Sequence, residues 1–590
     1  MRLGIYGMDS LQTTFTYLLM FWLIALSWSA SFAQALHDRS LQEQAPESPT
    51  SFRTSGDLQR QSKDEIFSLS PGLRLSSYGA SSQTQTLSVR GSDPAELGVS
   101  LEGIRLNSAA RGSANLGEIE TFGLDRLDLV RGGHPFFQAS PGGQLQISLP
   151  RQAQLKTRWE MGSYGHLFIG HLHPQGSLSY RQDLGDYPYR FQNEDLDREN
   201  NGSRLLTARL WNLSSESTSW LQASFSSQGL AGPSSFPSLQ DKMQVYSAMA
   251  SHQQRLKEVH LTVWTQAHQQ ETFSQGKTSQ TLSLYSGARL EKSHRALTDS
   301  ILQHRVEVSS DSLFNRSFED ARRWTLSYSS SMLLDLGSGQ ILNPRYRVEF
   351  LSDLEDSWSI HPGFGGRHEI ASVIPLRILW NASWISRAPT FFEMYFQDPF
   401  FRPNPRLKRQ ESLLADLGAE WTDDHLNLSS VFFVSRSQHL IETSVKSPTL
   451  STVENLGSTL TWGLENQGQW RLAQALDIQM SYTYQQSRRG KLDRLYQPRH
   501  RLGVKTNYAL TRFVSWQSFL DTRSRVRVPD FYSNPWIDSQ WNLGLGALLQ
   551  KDKNSFSIRL ENLLAWEREE IKDYPLGNAP TLRLSFERNW

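Results

Sequence analysis

The stretch LDIQMSYTYQ, residues 476–485, sets Leu476, Ile478, Met480, Tyr482 and Tyr484 on one face of an extended chain and Asp477, Gln479, Ser481, Thr483 and Gln485 on the other. Successive side chains of a strand point to opposite faces, so this is a strand with one apolar and one polar side. At ten residues it has the length a tilted strand needs to cross a bilayer. Leu376, Ile378, Trp380, Ala382 and Trp384 repeat the pattern, as do Leu502, Val504, Tyr508 and Leu510 against Arg501, Gly503, Lys505 and Asn507. A soluble sandwich alternates too. Strand length and the Trp and Tyr residues at segment ends favour a membrane, whose two interfaces hold such aromatics. The closing segment TLRLSFERNW puts Leu582, Leu584, Phe586 and Trp590 on one face. Arg588 intrudes on that face, tolerably only near the interface, where a lipid-facing charge costs about 0–1 kcal/mol.

The alternation runs from Leu155 to the last residue. At roughly twenty residues per strand with its connection, residues 151–590 hold on the order of 22 antiparallel strands, a transmembrane β-barrel. A barrel that wide cannot fill itself with side chains and needs a plug. Its longer polar connections, 183–202, 229–239 and 391–405, are expected outside the cell, opposite short periplasmic turns.

Composition narrows the function classes. Lys+Arg number 60 and Asp+Glu 59, a net charge of +1, so no global field draws the protein to nucleic acid. There is no cysteine, which removes disulfides, thiolate metal sites and cysteine nucleophiles. Arg2, the apolar run FTYLLMFWLIAL and the small residues of SASFAQA read as a signal peptide, 1–35, cleaved after Ala33 or Ala35. No later apolar run reaches the roughly 18 residues of a spanning helix, so residence in a membrane means a barrel.

Residues 36–61 are polar and aperiodic, a flexible periplasmic leader. Residues 62–150 read as a small α+β unit. Ser62 and Glu65 open a short helix that stops at Pro71-Gly72. Apolar strands follow around Leu87 to Val89 and Gly98 to Leu101, then a Gly/Ser/Asn-rich loop at 108–116, then FGLDRLDLVRGG and QLQISLP.

In order and spacing, SPGLRL (70–75), LSVRGS (87–92), LEGIRLN (101–107) and LDRLDLVRGG (124–133) resemble the plug of TonB-dependent outer-membrane transporters. SRAPTFFEMYF with NPRLKRQESLLADLGAEW, NLGSTLTWGLE, YQPRHRLGVKTNY and IRLENLL resemble the family's barrel. The plug order is most similar to cobalamin-type and small siderophore-type members. The resemblance implies a receptor, not an enzyme, in the outer membrane of a Gram-negative bacterium. It implies import of a scarce chelate, cobalamin or a ferric siderophore, with energy from TonB, ExbB and ExbD. No stretch between residues 34 and 61 resembles the family's coupling motif, and the family's first plug strands have no counterpart. A TonB-independent pore or adhesin with a vestigial plug is therefore the alternative, and a secreted β-rich binding module a third class.

The resemblance also implies a latch, in which plug residues Arg90 and Arg131 pair with lumen carboxylates. The candidates are Glu420, with Asp416 on the same strand face, and Glu465. The bland alternative is that both arginines are simply solvated. Gly91, Gly103 and Gly132 follow an Arg or Glu at strand ends, where turn geometry explains them. Tyr78, Arg111 and Asn115, on the polar plug loops, are the candidate ligand contacts, against the alternative of loops without a ligand.

No cofactor is implied. Asp195, Asp197 and Glu199 begin like an EF-hand, but Asn200 and Leu206 stand where glycine and the bidentate Glu belong, leaving at most a looser loop-bound calcium. The family's haem receptors carry a histidine in the long loop that here spans 387–407; this loop has none, and His361 and His368 lie upstream.

Overall fold

The computed structural model describes residues 53–58, 63–79, 83–133, 140–191, 194–297, 300–315, 320–370, 375–397, 401–447, 450–473, 475–530, 532–577 and 579–590. The expected signal peptide, most of the expected leader and the Ser62 cap lie outside them.

The chain builds two nested units. The inner one has strands β1 (Arg53–Asp57), β2 (Leu73–Ser77), β3 (Gln85–Val89), β4 (Leu97–Leu101), β5 (Ile104–Arg105), β6 (Arg126–Val130) and β7 (Gly143–Ser148), with a helix at Lys63–Ser68. Five of them form one sheet in the order β1-β6-β7-β4-β5, and β2 pairs with β3 alone. The alternating leucines of β6 and β7 bury Leu127, Leu129, Leu145 and Ile147 against Leu97, Val99 and Leu101, each at most 3% exposed. That core continues into the outer unit through Trp211, Trp220, Trp264 and Tyr285.

β1 corrects the expected leader, and the expected absence of the first plug strands with it. Residues 53–57, RTSGD, pair antiparallel with β6 in register from Arg53↔Val130 to Asp57↔Arg126. The segment has no apolar rhythm because its place is set by the backbone hydrogen bonds of a sheet edge, not by a face to bury.

The outer unit is a closed antiparallel barrel of 22 strands. Closure joins Lys156–Gly162 to Thr581–Asn589, with Phe586 opposite Trp159. Alternation divides lumen from exterior. In Ser203–Leu213, Ser203, Leu205, Thr207, Arg209 and Trp211 are buried while Arg204, Leu206, Ala208 and Leu210 are exposed. Leu417, Phe432, Leu464 and Met480 join the exposed apolar band, which is the face a barrel turns to lipid. Arg588 lies on it with its guanidinium 4.0 Å from the Trp590 ring, at the strand's end.

Strand order places all the long connections at one end of the barrel. There, 183–202 carries the ribbon Tyr187–Phe191 with Glu194–Arg198, and the connection after Leu376–Arg387 carries the helix Phe391–Tyr395. The opposite end has tight turns, such as those between Ser203–Leu213 and Ser217–Gly229 and between Lys242–Leu256 and Val259–Ser274. Among the described residues no helix is long and apolar enough to cross a membrane; the strands do the crossing.

Candidate functional site

The plug meets the lumen wall through buried charge. Arg90 lies in the turn after β3 with φ 52°, a left-handed conformation costly to a residue with a Cβ, followed by Gly91 at φ 75°. This turn aims Arg90 at the wall. Its Nε and Nη2 donate to the two carboxylate oxygens of Glu465 at 2.9 Å each, and Nη1 lies 2.5 Å from Asp416 Oδ1. The ring of Phe433 lies beneath, 4.3 Å from the guanidinium carbon. Burial pulls the Arg90 pKa down, but the two carboxylates outweigh it and hold it above its ordinary value.

Arg131, after β6, is 3% exposed, with Nε 3.6 Å from Glu465. It also donates to the Pro71 carbonyl, from Nε at 3.2 Å and Nη2 at 2.9 Å. Burial keeps its pKa below the ordinary range, with Glu465 opposing.

Backbone contacts close the same seam. Gly72 N donates to Thr483 Oγ1 at 2.7 Å, and Asn381 and Ser383 donate to the Gly132 carbonyl at 3.0 and 2.7 Å. A Cβ at Gly132 would stand 2.1 Å from Asp416 Oδ2, and one at Gly72 2.0 Å from Glu465 Oε1. Turn geometry alone therefore does not account for Gly132, because the wall also excludes a side chain there.

The structure thus brings Arg90, Arg131 and Glu465 together and leaves Glu420 out. Glu420 is 27% exposed and pairs with Arg377 at 3.3 Å on the neighbouring wall strand. Asp416 takes its place. Four residues of strand separate the two carboxylates by about 13 Å, beyond the reach of one arginine.

On other sides the plug makes different pairs. Glu65 of the helix meets Lys505 at 3.0 Å and also Arg559. Arg105 pairs with Asp311, and Glu120 with Arg181 at 2.7 Å.

The expected ligand contacts are placed as follows. Arg111 is exposed and, with Asn107, Asn115, Met243 and His268, lines a cavity between the plug and the wall. Asn115 is committed to the plug itself: its Oδ1 accepts from Gln85 N and Gly117 N, and its amide donates to Glu118. Tyr78 is half-buried, edge-on to Tyr574 at 5.1 Å, and burial raises its pKa while Arg111 opposes.

Two contacts were not foreseen. Phe392 N, at the start of the loop helix, donates to the Ala110 carbonyl at 2.8 Å, docking that helix on the plug loop. The Thr390–Glu393 capping box that starts it is legible in sequence. Glu570, in the connection before the last strand, reaches plug residue Arg74 at 3.4 Å.

Asp195 is 85% exposed on its ribbon, 3.9 Å from Arg190. Among the described residues no group of three His, Asp or Glu is arranged to hold a metal. Both ring nitrogens of His361 are engaged, by Ser386 N and Ser359 Oγ.

Residues 126–563 match the family described as TonB dependent receptor-like, beta-barrel, and residues 46–143 the TonB-dependent Receptor Plug Domain. The vitamin B12 transporter BtuB of Vibrio vulnificus is 30% identical over 105 residues, and that match spans 17% of each chain. Among solved structures, a mutant of the ferric enterobactin receptor PfeA of Pseudomonas aeruginosa superposes with a TM-score of 0.72 at 14% identity, over 93% of this chain and 99% of that one. The siderophore receptor PirA of Acinetobacter baumannii gives 0.71 at 12% identity over 91% and 98%. The copper transporter OprC gives 0.76 at 12% identity over 92% and 100%.

Proposed function

The chain belongs to the TonB-dependent receptors of the Gram-negative outer membrane, and from that premise we propose that it imports a small scarce chelate, a ferric siderophore or cobalamin. Energy comes from TonB acting with ExbB and ExbD. The observation that carries this reading is a plug held in a closed barrel by pairs that can be broken and remade. Arg90 is clamped between two wall carboxylates that are 5% and 1% exposed. A buried pair is costly to leave half-made and cheap to restore, which suits a part that must shift and return. The siderophore receptors among the similar structures support the chelate class, and the short BtuB match supports cobalamin.

Growth tests the reading. A strain lacking this protein should lose uptake of one radiolabelled chelate from a panel of ferric siderophores and cobalamin, and regain it from a plasmid copy only when TonB is present. Uptake restored equally without TonB would instead support a TonB-independent pore, and no loss on any member of the panel would sink the importer reading.

A further inference from the structure

The barrel's strands are shortest where the chain closes on itself. Five neighbours in the wall, Asn554–Glu561, Thr581–Asn589, Lys156–Gly162, His166–His173 and Gly176–Asp183, run 8, 9, 7, 8 and 8 residues. Between Lys242 and Gly337 the strands run 15 to 21 residues. A tilted strand needs about 9–11 residues to cross a bilayer. At about 3.3 Å per residue and a tilt of about 40°, the closing strands of 7 to 9 residues rise about 18–23 Å, against an apolar band about 25 Å tall.

The outer face of these strands is short in the same way. On Lys156–Gly162 the large apolar residues facing out are Trp159 and Met161, paired with Ile169 and Leu167 on the next strand. His171 and His173 then take that face, both exposed, with His171 bonded to Thr157 at 3.0 Å. Trp590 Nε1 donates to the same Thr157 hydroxyl at 3.2 Å, an indole placed as an interfacial anchor. The other end of the face is the irregular turn Ser163–Gly165, whose Tyr164 carbonyl accepts from Leu184 N at 3.1 Å. On the long-stranded wall, by contrast, Ala321–Gly337 keeps Trp324, Leu326, Met332 and Leu334 on one side.

We propose that the closing face holds the outer membrane locally thin, compressing the lipid beside it relative to lipid along the long-stranded wall. Irregular backbone and imidazoles facing lipid are not tolerated in hydrocarbon, so both ends of the face must reach the polar interfaces. Sliding or tilting the barrel moves both ends together, exposing one while burying the other, and so leaves the mismatch in place. A bilayer meets a short apolar face by thinning, at a modest cost per Å. The inference rests on the outer-membrane barrel alone and is independent of the solute carried.

The chain has no cysteine, so single cysteines can be spin-labelled cleanly. Leu184→Cys and His173→Cys mark the two ends of the closing face, and Val308→Cys marks the long-stranded wall, where Val308 is 43% exposed. The full chain, reconstituted in dioleoyl and in the thicker dierucoyl phosphatidylcholine, is probed with oxygen and a water-soluble nickel chelate. Labels at Leu184 and His173 should both meet the chelate in both lipids, while the Val308 label meets oxygen alone. A label at either end of the closing face that meets oxygen alone in dierucoyl lipid overturns the proposal. His171→Leu with His173→Leu lengthens the apolar face, and gels that resolve folded from unfolded barrel measure its half-life. The ratio of half-life in dierucoyl to that in dilauroyl lipid should rise about fivefold over the unmodified protein. An unchanged or lower ratio also overturns it.

Discussion

Two sides of the same plug are wired with opposite polarity. Toward Asp416 and Glu465 the plug supplies the arginines and the wall the carboxylates; toward Lys505 and Arg559 the plug supplies the carboxylate of Glu65 and the wall the cations. The first seam is the drier on its wall side: Asp416 and Glu465 side chains are 2% and 1% exposed, whereas the wall cations of the second, Lys505 and Arg559, are 10% and 30% exposed. A charge stranded in the dry seam has nothing to solvate it, and one stranded in the wetter seam has water. The difference teaches that the first seam sets how firmly the plug is held, while the second is the side that can yield.

The largest effect should come from Arg90→Ala, which removes the cation shared by two buried carboxylates and leaves Glu465 only its longer 3.6 Å pair with Arg131. Its cost approaches the roughly 3–5 kcal/mol of breaking a buried pair. Single-channel recordings in planar bilayers should show frequent ion-conducting openings, partly suppressed by adding Glu465→Gln. A quiet Arg90→Ala channel, equally folded, would break the contrast between the seams.

Glu65→Ala should come next, since Lys505 loses its carboxylate but Arg559 keeps Glu561 and partial solvent. Openings should be fewer than for Arg90→Ala, and the loss of stability to thermal unfolding smaller, on the order of 1–3 kcal/mol. Equal or greater loosening would reverse the ranking.

Arg131→Ala should rank third. Arg90 still neutralises Glu465 through both carboxylate oxygens, and the change removes a longer 3.6 Å pair and the hydrogen bonds to Pro71. The recordings should show rare openings, and combining Arg131→Ala with Glu465→Gln should add little.

Glu420→Ala should change least. Its pair with Arg377 is part-exposed, a class worth about 0–1 kcal/mol. Conductance matching the unmodified protein is expected, and marked openings would return Glu420 to the latch.

Much of this was legible before any coordinates. Period-two alternation gave the strands, their faces and, through length, the order of the strand count, because a strand's two faces are written residue by residue along the chain. The helix at Lys63–Ser68 and strands β3, β4, β6 and β7 each carry an apolar pattern and were readable in the same way. β1 was not, since RTSGD buries no apolar stripe and is held by edge pairing to β6. Arg90, Arg131 and Glu465 were reachable through family resemblance. The preference for Glu420 over Asp416 failed because both face the lumen at the same parity, and parity says nothing about depth along the strand.

The amino-acid sequence by itself therefore determined a plugged barrel: period-two alternation and the apolar patterns of the plug strands are local properties that need no partner. Only the tertiary structure decided which charges meet. Arg90 and Glu465 lie 375 positions apart, and Glu65 and Lys505 lie 440 apart. Their encounter depends on closing 22 strands in one register around the inner unit, so each pairing is fixed by the sum of all the others and by no segment alone.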